Sequence, residues 1–133
     1  MASPAVINAV KARLESDFTA ASVYLPNHKL PSAGPYVAVQ FPLASEDQAT
    51  IGAPGGNVFR EEGVIRFVIV VRPGSGLDTL GTIATQLRDL FRNARFDGVR
   101  CYAPTTPVFD DRSDEGGSFR GSLAVPYEFD LHA

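Results

Sequence analysis

The chain reads as an α+β (mixed α/β) fold with the element order α-β-β-α-β-β. It predicts an about four-stranded mixed sheet, two helices packed on one face of it, and two long polar loops. Three stretches carry that prediction. Val64–Arg72 alternates Ile65, Phe67, Ile69 and Val71 with Arg66, Val68, Val70 and Arg72, and period-two alternation of β-branched residues marks a strand. The next segment repeats Leu80, Ile83, Leu87 and Phe91, with Ala84 and Leu90 beside them. That spacing makes one apolar stripe on a helix. Phe119–Leu131 alternates again, with Leu123, Val125, Tyr127, Phe129 and Leu131 on one side and Arg120, Ser122, Glu128 and Asp130 on the other.

Taken in order, Ser3 and Pro4 open the first helix. Ser3 suits the cap and Pro4 the first helical position. Val6, Ile7, Val10, Leu14 and Phe18 form its buried stripe, and the helix fades near Phe18–Ala21. The Pro-rich stretch Tyr24–Pro35 is a connector. Tyr36–Phe41 is a short strand ended by Pro42. Leu43–Glu62 is the first long polar loop, of which Val58–Glu61 can extend the next strand into a protruding ribbon. Val64–Arg72 is apolar on its second face only in the middle, which predicts a central strand partly covered on both sides. Strand and helix together suggest a β-α-β unit, a crossover that is almost always right-handed. Asn93–Gly98 turns the chain into a third strand, Val99–Ala103. Pro104–Ser118 is the second long polar loop, with the acidic tip Asp110–Gly117. Pro126 lacks a ladder donor, so its nitrogen must face an edge or a bulge. If the strands flanking the second helix are parallel, the two loops leave opposite ends of the sheet; antiparallel strands would undo that.

Composition bounds the function. The 133 residues fit one domain spanning 1–133, long enough to bury a core without a staple. The net charge of −3 and pI near 5.3 argue against a general nucleic-acid binder, which carries a basic excess or stripe. Cys101 is the only cysteine, which excludes an intrachain disulfide and a Cys-based zinc site. No apolar run approaches the ~18 residues of a membrane span, and no signal-peptide pattern opens the chain. Assembly in the cytoplasm is therefore expected.

Candidate chemistry is thin. Pro73-Gly74-Ser75-Gly76 precedes a helix but lacks the lysine and the full glycine pattern of a phosphate loop. It reads as a turn with Ser75 as cap and Asp78 closing a capping box. Asp110, Asp111, Asp114 and Glu115 resemble a cation loop only in charge, because Arg112 breaks the alternation of ligands. His28 and His132 have no second ligand nearby. Cys101 alternates with apolar residues and reads as a small buried hydrophobe. Glu61 and Glu62 point to opposite faces of a strand and make a poor acid/base pair. No GxSxG elbow is present. Neither catalytic residues nor a metal or cofactor are expected.

The remaining signal is charge. Arg88, Arg92 and Arg95 fall on one side of the second helix at i, i+4 and i+7. They read either as a solvated face favoured by the helix C-terminus or as a contact for the acidic tip of a neighbouring copy. A basic stripe and an acidic tip on one domain suit a head-to-tail ring. Arg60, Glu61 and Glu62, at the root of the first loop, complete the candidate subunit and stacking contacts.

From Tyr36 to Phe129 the sequence resembles the small tail-terminator or tail-completion (neck) proteins of long-tailed phages and gene transfer agents. The likeness rests on PYVAVQF, a Gly-rich loop, FREEGVIRFVIVVRPGSGLDTLGTIATQLRDLF, then FDGVRCYAPT and FRGSLAVPYEFDL. The helix Pro4–Phe18 fits the same layout. The resemblance implies a structural virion protein at the head–tail junction: a hexameric ring that stops tail-tube growth and joins the tube to the head connector. DNA then passes through its channel without specific binding, with the acidic residues facing it. Other readings are a different virion subunit (tube, connector or capsid-associated) or a small enzyme or ligand-binding domain.

Overall fold

The structure, a computed structural model, describes residues 2–31, 34–72, 76–109 and 119–132. In chain order it contains α1 (Pro4–Asp17), β1 (Ser22–Tyr24), β2 (Tyr36–Gln48), β3 (Val58–Val71), α2 (Gly76–Phe91), β4 (Arg95–Phe96), β5 (Val99–Cys101), β6 (Val108–Phe109) and β7 (Phe119–His132). The strands form one mixed sheet in the order β1-β2-β3-β7-β5-β4, with β6 paired to β7 beside β5. All pairs are antiparallel except β1 with β2.

The sheet is thus larger than the expected four strands. The additions, β1, β4 and β6, are two or three residues long, too short for periodicity to register. β4 and β5 form a tight hairpin through Asp97 and Gly98, both at positive φ (47° and 85°). That is the backbone a two-residue type I′ turn demands, and Asp-Gly supplies it.

Two expected boundaries are corrected. Pro42 does not end its strand. The β2–β3 register shifts between Gln40 and Leu43, so Pro42 occupies an irregularity where no ladder donor is needed, and β2 continues to Gln48. Leu43–Glu62 is therefore mostly a β-hairpin rather than a loop; only residues 49–57 connect its strands. The predicted ribbon at Val58–Glu61 is present and is part of β3. In α1, Ser3 stands at the cap position with Pro4 following, but its hydroxyl makes no capping bond. The segment 73–75, which includes the expected cap Ser75, lies outside the described residues.

β3 and β5 are each antiparallel to β7, which lies between them. They therefore run parallel, and β3–α2–β5 is a crossover around one inserted strand. The register pairs Val58 with His132 at one end and Val71 with Phe119 at the other. The β2–β3 connection and the β6–β7 connection accordingly leave opposite ends of the sheet. Pro126 falls just outside the β5–β7 ladder, which ends at Cys101↔Tyr127; its carbonyl accepts the Tyr102 N–H. This is the break in pairing that a strand proline requires.

Both helices cover one face. Val6, Val10 and Leu14 of α1 and Leu80, Ile83, Leu87 and Phe91 of α2 share one buried cluster with Val37, Val39, Ile65, Phe67, Ile69, Leu123, Val125 and Tyr127. Phe67 and Phe91 meet at 5.1 Å between ring centroids. Arg13 ties the helices together, its Nε and Nη2 donating to the Leu90 carbonyl at 3.0 and 2.7 Å. That satisfies an orphan carbonyl at the end of α2. Among the described residues the opposite face has no helix, and its buried patch is Tyr36, Ala38 and Val70, flanked by Tyr24 and Val68, so β3 is central and, among those residues, covered on both sides there.

Candidate functional site

Past the helices the long strands continue as an arm made of the distal halves of β2, β3 and β7. Here the alternation that built the core becomes polar. Arg60, Glu128 and Asp130 share the helix-free face with Arg100 of β5. Arg60 Nε lies 2.8 Å from both Glu128 Oε1 and Asp130 Oδ1, and Arg100 Nη2 lies 3.0 Å from Asp130 Oδ2. Tyr102 donates its hydroxyl to Glu128 Oε2. Two cations thus clamp two carboxylates across three strands. Hydrogen bonding from Arg60, then the charges of Arg100 and Arg60, hold the Asp130 carboxyl below its usual range. The hydrogen bond to Glu128 raises the Tyr102 phenol.

Glu61 and Glu62 diverge as their positions require. Glu62 is exposed, whereas Glu61 is 7% exposed. Glu61 accepts the Tyr127 hydroxyl at 2.5 Å and the Ser3 backbone N–H at 3.3 Å. It therefore pins the start of α1 to the root of the arm. Burial, with the bond to Glu61, drives the Tyr127 phenol well above its ordinary value. Gly63 makes this possible: a Cβ there would lie 2.5 Å from the Leu43 carbonyl oxygen and 2.8 Å from the Tyr127 ring.

The basic stripe is not one helical face. α2 ends at Phe91, so Arg95 belongs to β4. Asn93, at positive φ, turns the chain between them. Arg92 pairs with Asp89 at 2.8 Å, and Arg88 is half-buried, its Nε without a hydrogen-bond partner among the described residues. Asp110, Asp111, Asp114 and Glu115 lie outside the described residues. Cys101 is buried, and desolvation pushes its thiol up to about 12, the behaviour of a core residue.

Two shallow grooves cross the helix-free face. One is lined by Leu43, Glu62, Val64, Tyr102 and Pro126, the other by Arg66, Val108, Phe109 and Arg120. Sequence reasoning missed Leu43, Tyr102, Val108 and Phe109 as surface residues because it assigned them to loops or a strand end. Among the described residues no cluster of His, Cys, Asp and Glu can hold a metal, and no helix is long and apolar enough to cross a membrane. What the described surface offers is area, charge and open backbone, the materials of protein–protein contact.

Comparison with known proteins agrees. One solved structure superposes with a TM-score of 0.66 at 20% identity, over 100% of this chain and 99% of its own. A chain from the virion of a native gene transfer agent particle superposes with a TM-score of 0.59 at 19% identity, over 95% of each chain. At such identities these likenesses establish the fold. No curated protein sequence matches. Residues 5–127 match the family described as phage tail terminator protein, and the chain belongs to that family.

Proposed function

We propose that copies of this chain close into a ring, a hexamer by the resemblance, that caps the tail tube and presents the surface to which the head connector joins. Membership of the family makes the chain a structural virion protein of the tail; the ring and its two partners are the added reading. The observation that carries it is the family match across residues 5–127. The fold is compatible with a two-sided role, because the β2–β3 connection and the β6–β7 connection leave opposite ends of the sheet. A subunit in such a ring offers one end to the tube and the other to the connector.

On this reading DNA crosses the ring without specific binding, and Asp110, Asp111, Asp114 and Glu115 face the channel. Negative charge there keeps transiting DNA from adhering. A variant with all four changed to Asn or Gln is expected to slow DNA delivery; unchanged delivery counts against that placement.

Two measurements test the main reading. Size-exclusion chromatography with light scattering, alone and with purified tail tubes, is expected to show a closed oligomer of defined mass. Electron microscopy of particles made without the protein is expected to show tubes of uncontrolled length with no heads attached. A chain that stays monomeric with tubes, together with normal tails in its absence, overturns the proposal.

A further inference from the structure

The two edges of the sheet are unlike each other in a way that suits another copy of the chain. β1 covers β2 only at Tyr36–Ala38. From Phe41 to Gln48 the outer edge of β2 has no strand beside it among the described residues. At the opposite edge β4 is likewise unpaired on its outer side. Open strand edges are templates for pairing, and proteins that do not use them usually blunt them.

The register places these two edges at the same level. Ser45 pairs with Glu62, Glu62 with Glu128, Glu128 with Arg100, and Arg100 with Arg95. The adjacent row runs Glu46, Glu61, Phe129, Val99, Phe96. One cross-strand line therefore leads from the middle of the open β2 edge to β4. Successive antiparallel steps also leave β2 and β4 pointing the same way, so a rotated copy can extend the sheet with parallel pairing and no reversal.

Charge selects the partner. The β2 edge carries exposed Glu46 and Asp47, and β4 carries exposed Arg95. None of the three forms an ion pair among the described residues. Pairing β2 with a second β2 sets acid against acid, and pairing β4 with a second β4 sets Arg95 against Arg95. Like charges across a strand pair are destabilising and opposite ones favourable. Only β2 against β4 matches, and a contact joining two different patches generates a ring or filament rather than a two-fold dimer.

We propose that the subunit interface is an edge-to-edge sheet contact in which β4 of one copy docks along Leu43–Gln48 of the next, with Arg95 on the same face of the joined sheet as Asp47 and Glu46 adding negative charge from the other face. It rests on the ring reading and specifies which surfaces make the ring. The test starts from the wild-type oligomer. Glu46→Arg with Asp47→Arg, or Arg95→Glu alone, is expected to raise the concentration at which the oligomer dissociates on the order of tenfold or more. Combining all three restores it. Independently, Ser45→Cys with Arg95→Cys treated with a short bis-maleimide is expected to give a covalent ladder on denaturing gels, while either single change gives none; buried Cys101 stays silent. Thermal melts of each variant separate lost assembly from lost folding. An oligomer indifferent to the reversals and yielding no ladder overturns this interface and leaves the ring standing. A wild-type chain that is monomeric even with tail tubes overturns both.

Discussion

The three long strands behave as two different materials along their length. In the body, Val37, Val39, Ile65, Phe67, Ile69, Leu123 and Val125 lie under two helices and are almost wholly buried. In the arm, the same strands carry Glu46, Asp47, Arg60, Glu62, Glu128 and Asp130, with no helix over them. The body is held by burial, the dominant favourable contribution to folding. The arm is held by its backbone ladder and by half-exposed ion pairs, which contribute little each. The difference separates labour. Stability resides where the surface is hidden, and the contacts available to partners reside where the strands outrun the core.

That division predicts a graded response to substitution. Phe67→Ala removes a side chain with no exposed surface that packs on Phe91, and is expected to cost about 3–5 kcal/mol, seen as a lower denaturant midpoint. At the junction of body and arm, Tyr127→Phe strips Glu61 of its phenolic donor inside the protein. It is expected to cost about 1–3 kcal/mol; a smaller loss means the pin between α1 and the arm is weak. A third test is pH. The Cys101 thiol is raised to about 12 by burial, so its stabilisation is fully present below the ordinary thiol value and is lost as pH rises toward about 12. Cys101→Ala should flatten the alkaline limb of the stability profile while native protein near neutral pH resists thiol reagents. Last and smallest, Arg60→Gln should shift the melting temperature of the isolated subunit only slightly, with the shift shrinking as salt is added. A loss as large as that of Phe67→Ala would erase the distinction between the two regions.

Much of this was legible in the chain. Alternation in Val64–Arg72 and Phe119–Leu131 and the stripe from Leu80 to Phe91 appear as drawn, and the extension of the central strand through Val58–Glu61 is present. Pro42 misled because a proline reads as a stop, while a register shift absorbs it. Arg88, Arg92 and Arg95 looked like one stripe because helical spacing was carried past Phe91, where Asn93 ends the helix. Of the candidate contact residues, the outward Glu62 and inward Glu61 follow from strand alternation. The carboxylates that engage Arg60, Glu128 and Asp130, are remote in sequence and have no local signature.

The sequence by itself determined the two helices, the four principal strands with their apolar faces, and the lack of any recognisable catalytic motif, because those follow from local periodicity and residue chemistry; the short strands β1, β4 and β6 carry no such signal. Tertiary structure alone decided the strand order. It inserted β7 between β3 and β5, and it brought Arg60 and Arg100 to the same two carboxylates. It also set Ser45, at the middle of the open β2 edge and beside Glu46 and Asp47, level with Arg95 across the sheet. Pairing between distant strands depends on register, and register is settled only when all the strands bury their apolar faces together.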